Sequence, residues 1–117
     1  MDKKTTFETI FSPISAGRVL DVATGRGGFI QVLDETLQSY DEIIGIDTVA
    51  GTEAVFAESF AEKPISYRQM DASTLAFDDA SFDTVCIANS LHHLSDPRGV
   101  LVEMQRVLKP GGRFIIS

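Results

Sequence analysis

The sequence has 117 residues, 44% hydrophobic and 23% charged, which suits one folded domain and excludes a disordered or disulfide-stabilised chain. A net charge of −7 without any basic cluster disfavours direct nucleic-acid binding, because an acidic surface repels a phosphate backbone. The start of the chain has no apolar signal core, and no run approaches the ~18 apolar residues of a membrane span, so we expect a cytoplasmic protein.

The first half of the chain predicts helices alternating with strands. Phe7, Ile10 and Phe11 have helical spacing before Pro13, and two short apolar runs that contain an acid are typical of buried parallel strands. In chain order we predict a helix over 3–12, a strand over 18–23, a glycine-rich turn over 24–28, a helix after it, a strand over 42–47 and a helix over 50–62.

The second half continues this pattern. Asp96 and Pro97 are typical of a helix start, and Val100, Met104 and Val107 form an apolar stripe. The segment 109–112, Lys-Pro-Gly-Gly, is expected to end this helix and turn the chain. The predicted elements are a strand over 65–70, a polar loop over 71–81, a strand over 82–88, a helix from about 97, and a strand from 114.

Alternating strands and helices predict an α/β fold, a doubly wound parallel sheet with helices on both faces. We expect a single domain over 1–117, with an N-terminal helix over 3–12 and a core over 18–117. The lone cysteine, Cys86, lies in an apolar run without metal-site spacing, which indicates an inert core residue.

Polar residues follow four of the predicted strands. The first strand leads into the glycine-rich turn, and the next three end at or near Asp47, Asp71 and Asn89. Ligands of doubly wound sheets bind at the carboxyl ends of the strands, so these residues are expected to converge on one site.

The glycine-rich turn predicts close approach of a ligand to the backbone, because Gly25 and Gly27 lack Cβ atoms. A turn that binds nothing is the alternative. The spacing of Ala23, Gly25 and Gly28 also nearly matches a dinucleotide-binding fingerprint, so a nicotinamide-dependent oxidoreductase stays open at this point.

Asp47 is placed to accept hydrogen bonds from two ribose hydroxyls. A nicotinamide cofactor and other nucleoside cofactors all offer such hydroxyls, so Asp47 does not distinguish between them. The alternative is that it caps the following helix.

Four segments, VLDVATGRGGF, GIDTV, RQMDASTLAFDDASFDTVCIANSLHHL and RVLKPGGRFIIS, resemble the successive motifs of class I S-adenosylmethionine-dependent methyltransferases. The resemblance spans about residues 18–117 and is nearest to the subgroup that methylates small molecules, including quinones and lipids. It implies a Rossmann-like sheet in the order 3-2-1-4-5, S-adenosyl-L-methionine as cofactor and a small-molecule methyl acceptor.

The resemblance also implies residue roles. Gly25 and Gly27, with Ala23 where relatives usually have glycine, would line the methionine part of the cofactor, and Asp21 would hold its amino group. The remaining implied contacts are Asp47 at the ribose, Thr48 next to it as a further cofactor contact, Asp71 and Ala72 at the adenine, and Asn89 near the transferred methyl.

Two adjacent histidines, His92 and His93, follow the fourth strand on the substrate side. A histidine there can take a proton from an acceptor at neutral pH, so the pair are the candidate catalytic residues. The alternative is a loop histidine that hydrogen-bonds the backbone.

The family sheet normally has strands 6 and 7, whereas this sequence ends in strand 5, as a fragment or a natural short form. We expect the open edge of strand 5 to pair with a second copy, giving a homo-oligomer, or to cause aggregation. A catalytically idle module that binds S-adenosylmethionine or S-adenosylhomocysteine and acts through a partner is the second functional hypothesis.

Overall fold

Four α-helices and five strands form the regular structure of the residues that the computed structural model describes, 3–88 and 90–117. The helices are α1 (Lys3–Phe11), α2 (Gly28–Thr36), α3 (Thr52–Ser59) and α4 (Pro97–Val107), and the strands are β1 (Arg18–Val22), β2 (Glu42–Asp47), β3 (Ile65–Gln69), β4 (Phe82–Ile87) and β5 (Leu108–Ile116). All neighbouring strands are parallel, in the order β3-β2-β1-β4-β5. The predicted fold class and strand order are confirmed.

Helices cover both faces of the sheet, which explains why the central strands are apolar at consecutive positions. Val19 of β1 packs on the face that α1, α2 and α3 cover, with Ile30 and Phe56 in the same cluster. Leu20, its neighbour, packs on the opposite face with Met104 of α4. Both strand residues are fully buried.

The predicted start of α4 is confirmed by its capping contact. The Asp96 carboxylate accepts a hydrogen bond from the Gly99 amide at 3.0 Å, and Pro97 occupies the first turn. None of the helices in the described part of the chain is both long and apolar enough to cross a membrane.

The polar loop between β3 and β4 is tied to α4 by Arg106. Its guanidinium donates to the carbonyls of Leu75 and Phe77 and pairs with the Asp79 carboxylate at 2.7 Å. Glu103, which also contacts Arg106, accepts from the Leu75 amide at 2.8 Å. These bonds hold the segment after Asp71 against the helix layer.

The prediction that β5 begins at residue 114 is wrong. The strand begins at Leu108, which pairs with Phe82, and the pairing resumes at Arg113 opposite Thr84. Residues 109–112 bulge out of this ladder, so the Lys-Pro-Gly-Gly segment interrupts a strand that has already started.

The third helix is shorter than the predicted range 50–62. Gly51 precedes it in the left-handed conformation, with φ of 87°, and Phe60 follows it outside the helical region. The α-helical conformation is therefore confined to Thr52–Ser59.

Candidate functional site

Two adjoining cavities lie at the carboxyl ends of β1, β2 and β4. The Asp47 cavity is lined by Ala23, Ile46, Asp47, Thr48, Asp71 and Ala72, among others. The Asp21 cavity is lined by Phe7, Asp21, Ala23, Thr24, Gly25 and Phe29, among others. Because Ala23 lines both, the two cavities adjoin each other along one edge of the sheet. Seven of the nine predicted cofactor residues line one or both cavities, namely Asp21, Ala23, Gly25, Asp47, Thr48, Asp71 and Ala72.

The glycine-rich turn is built from left-handed backbone. Ala23, Gly25 and Gly27 have φ of 57°, 57° and 90°, and the Gly27 amide closes the turn on the Thr24 carbonyl at 3.0 Å. A Cβ added at Gly25 would meet nothing within 4 Å, so this glycine borders open space in the Asp21 cavity. Ala23 adopts a conformation that glycine tolerates better, a sparsely populated one of the kind found at binding sites.

Gly27 has a different environment from the one we expected. It is buried, and a Cβ there would lie 2.9 Å from the Phe60 ring and 3.1 Å from the Phe56 ring. An added Cβ would therefore meet the core packing of α3, and Gly27 is not among the described residues that line either cavity.

Asp21 is a buried carboxyl with one partnered oxygen. It is 1% exposed, and its Oδ2 accepts a hydrogen bond from the Thr24 hydroxyl at 2.7 Å. Its Oδ1 has no hydrogen-bond partner within the described residues. Burial raises the pKa of Asp21 to about 7; the Thr24 hydrogen bond lowers it, and the charge of Asp47 raises it.

Asp47 ends β2 and braces the glycine-rich turn. Its Oδ2 accepts from the Gly25 amide at 2.9 Å, and its Oδ1 accepts from the Thr48 amide at 2.8 Å. The capping alternative is not what the structure has, since α3 begins at Thr52 and its N-cap residue is Gly51, with no side-chain capping bond. Each oxygen keeps a further lone pair for a ligand in the Asp47 cavity.

Asp71 follows β3 at the far side of the Asp47 cavity. Its Oδ1 accepts from the Ser73 amide at 2.8 Å and from the Ser73 hydroxyl at 2.7 Å, and these bonds hold the pKa of the carboxyl below its usual value. Within the described part of the chain, its Oδ2 accepts no hydrogen bond that would compete with a ligand. Ala72, next to it, is half-buried.

The two histidines lie in a short 3-10 helix, Leu91–His93, after β4. Both are exposed, with ring centroids 3.9 Å apart, and neither is among the described residues that line the two cavities. Asn89, the remaining predicted contact, lies outside the described residues. Within the described chain, no group of three or more His, Cys, Asp or Glu side chains could hold a metal ion.

Phe7 and Thr24 are among the lining residues of the Asp21 cavity that sequence reasoning missed. Phe7 comes from α1, where its helical spacing predicted only a packing face, and it stacks on Phe11 with ring centroids 5.4 Å apart. Thr24, between Ala23 and Gly25 in the glycine-rich turn, was not among the predicted site residues, although a hydroxyl three residues after Asp21 was the available signal.

Comparisons with known proteins agree with this geometry. The family model described as a methyltransferase domain matches residues 20–116. A demethylmenaquinone methyltransferase of Deinococcus radiodurans is 40% identical over 104 residues, covering 87% of this chain and 43% of that protein. A ubiquinone/menaquinone biosynthesis C-methyltransferase of Geotalea daltonii is 38% identical over 105 residues, covering 86% and 44%.

Among solved structures, the YcgJ protein of Bacillus subtilis superposes with a TM-score of 0.79 at 31% identity, covering 96% of this chain and 47% of that one. The chain thus spans less than half the length of the curated relatives it matches. The match to the family model extends over most of the chain, from β1 to the end of β5. The chain therefore belongs to the methyltransferase domain family.

Proposed function

We propose that the chain binds S-adenosyl-L-methionine along the Asp21 and Asp47 cavities and transfers its methyl group to a small, uncharged, apolar acceptor. The observation that carries this proposal is the buried Asp21 carboxyl, whose Oδ1 has no partner within the described residues while the side chain lines a cavity beside the glycine-rich turn. Family membership supports the same cofactor.

The Asp21 carboxyl suits the ammonium group of the methionine part. A buried polar atom without a partner is costly, and a cationic donor would both satisfy Oδ1 and favour the ionised form. Gly25 leaves open space where the methionine chain would pass close to the backbone. The Asp21 cavity therefore offers the methionine part both a charge partner, the Asp21 carboxyl, and open space beside Gly25.

The Asp47 cavity suits the adenosine part. The Asp47 carboxylate already orders the turn through Gly25 and keeps lone pairs for a ribose diol. Beyond it, Ile46 and Val100 give the cavity apolar walls, and Asp71 supplies a carboxylate at its rim. Apolar walls with a few fixed polar groups are what a flat nucleobase needs.

The chain's own residues would contribute mainly alignment. The sulfonium of the bound cofactor supplies an electrophilic methyl group. Asp21 and Asp47 would fix the two ends of the cofactor, so the methyl is held in one direction for in-line attack by the acceptor. That His92 or His93 accepts a proton stays a prediction, since both rings are exposed outside the cavities.

The acceptor class follows from the walls of the Asp21 cavity. Phe7, Phe29 and Val32 give it an apolar side, and the rings of Phe7 and Phe29 meet edge to face with centroids 5.8 Å apart. None of the described lining residues is Lys, Arg or His, which disfavours a phosphate or carboxylate acceptor. A flat, neutral ring fits these walls, and the names of two quinone-methylating relatives support a quinone-type ring.

Calorimetric titration with S-adenosylhomocysteine tests cofactor binding, with NAD as the competing ligand. We expect saturable binding of the first and none of the second. Asp47→Asn should weaken binding by about 1.5–3 kcal/mol, or roughly 10- to 150-fold, through loss of a charged acceptor. Asp78→Asn, in an exposed loop, is the matched control. Binding of NAD alone would reject the proposal.

Methyl transfer itself is tested by incubating the chain with the cofactor and a reduced naphthoquinone, and following product mass. Saturable cofactor binding without transfer to this or other neutral ring acceptors would favour the catalytically idle module instead.

A further inference from the structure

Thr24 links three parts of the candidate site. Its hydroxyl donates to Asp21 Oδ2 at 2.7 Å, its amide donates to the Ile46 carbonyl of β2 at 2.9 Å, and its carbonyl accepts the Gly27 amide at 3.0 Å. Thr24 is 6% exposed. These bonds therefore fix the Thr24 side chain between β2 and the Asp21 carboxyl group of β1.

A glycine in the middle of β2 makes this position available. Gly45 is the register partner of Asp21 and is buried in the sheet. A Cβ on Gly45 would lie 2.7 Å from Thr24 Oγ1 and 2.8 Å from Ile30 Cδ1. Glycine weakens a strand interior, and it often marks a place where another group approaches closely. Here that group is the Thr24 side chain.

The Thr24 hydrogen bond decides which carboxylate oxygen of Asp21 is left for a ligand. Because Oδ2 is occupied, Oδ1 is the oxygen without a partner among the described residues. Losing the bond would free the carboxyl to rotate and would leave both oxygens unsatisfied in a buried place.

We propose that Thr24, seated in the space that Gly45 leaves, is a positioning residue that orients Asp21 toward the ammonium group of the cofactor. This inference rests on the proposed function. It makes Gly45 a requirement of the binding site as well as of the sheet, although Gly45 itself lines neither cavity.

The inference also predicts a pH signature. Two titratable groups act on or with Asp21 from the adjacent strands: Asp47 of β2, and Cys86, its register partner on β4. The Thr24 bond is what lowers the pKa of Asp21 against burial and the Asp47 charge. Removing the hydroxyl should therefore raise that pKa, so that the ionised carboxylate forms only at higher pH.

The experiment compares Thr24→Val, which keeps the shape and loses the hydroxyl, with Thr24→Ser, which keeps the hydroxyl. The probes are S-adenosylhomocysteine, which has the ammonium group, and 5′-methylthioadenosine, which lacks the whole amino-acid part. Affinity is measured calorimetrically from pH 5.5 to 8, and thermal melting checks the fold.

We expect Thr24→Val to bind S-adenosylhomocysteine about 10-fold more weakly, with its pH dependence moved up by about one unit. Thr24→Ser should restore the parent behaviour, and methylthioadenosine binding should be the same in all three proteins. Gly45→Ala should reproduce Thr24→Val where it folds.

Equal S-adenosylhomocysteine affinity and pH dependence in the parent and Thr24→Val would overturn the inference. So would an equal loss of methylthioadenosine binding, which would mean that Thr24 only maintains the turn. Failure of the parent to bind S-adenosylhomocysteine at all would instead reject the proposed function.

Discussion

Asp21 and Asp47 lie on the adjacent parallel strands β1 and β2, and the charge of Asp47 adds to the pKa rise of the buried Asp21 carboxyl. Burial is the largest cause, the Thr24 hydrogen bond opposes it, and the pKa of Asp21 reaches about 7. Near neutral pH the carboxyl is thus divided between its protonated and ionised forms. A cation bound there would favour the ionised form and release a proton.

Asp21 should make the free protein less stable as the pH rises from about 4 to about 7. The unfolded carboxyl ionises near its usual pKa of 3.8, whereas the folded one keeps its proton up to about 7, so the folded state binds more protons in this window. Above pH 7 the destabilisation is complete.

Urea unfolding of the parent and of Asp21→Asn at several pH values measures this effect. The free energy of unfolding of the variant, relative to the parent, should increase from pH 4 to pH 7 and then level off. A difference that stays constant with pH would contradict the raised pKa.

The glycines of the turn should respond differently to substitution. Gly25→Ala and Gly51→Ala both place a side chain at positive φ in open space, with a strain of about 1–2 kcal/mol each. Only Gly25 lines the Asp21 cavity, so we expect only Gly25→Ala to lose S-adenosylhomocysteine binding beyond that shared loss of stability.

Gly27→Ala should lose more stability than either, because its Cβ also meets Phe56 and Phe60. Thermal melting and calorimetric titration of the three variants separate the two effects. If Gly25→Ala bound S-adenosylhomocysteine with the same affinity as Gly51→Ala, the turn would have only a structural role.

Phe7 should select the acceptor without affecting the cofactor. Phe7→Leu keeps apolar bulk and loses the ring that faces Phe29, so affinity for a reduced naphthoquinone should fall while S-adenosylhomocysteine binds as in the parent. Ile10→Ala, on the same helix and 53% exposed, is the matched control. If Phe7→Leu bound the reduced naphthoquinone as tightly as the parent, Phe7 would not be part of the acceptor site.

The edge strand β5 should support self-association. Within the described residues β5 pairs only with β4, and Phe114 and Ile116 on it are 41% and 53% exposed. An apolar edge strand with free backbone groups pairs readily with another chain. Sedimentation velocity over a range of concentrations should show a dimer or larger species that Ile116→Lys weakens. A monomer at every concentration would contradict this.

The residue pattern predicted the parallel strands and the acids near their carboxyl ends, whereas the order of the strands was implied by the resemblance to the methyltransferase family. A parallel strand buried on both faces leaves an unbroken apolar pattern, as in β2, which ends at Asp47, and Asp71 lies two residues after β3. The local signals of α4, Asp96 and Pro97, were equally plain, because a helix cap depends on residues adjacent in the chain.

The roles of individual glycines depended on tertiary structure. Gly25 and Gly27 are indistinguishable in the segment TGRGG, but packing of α3 brings Phe56 and Phe60 onto Gly27 and leaves Gly25 at open space. Gly45 carried no signal at all, since its close neighbour Thr24 belongs to another strand–turn unit. Sequence patterns encode the local conformation and the buried face of each element, whereas distances between side chains that are remote in the chain are fixed only when those elements pack together.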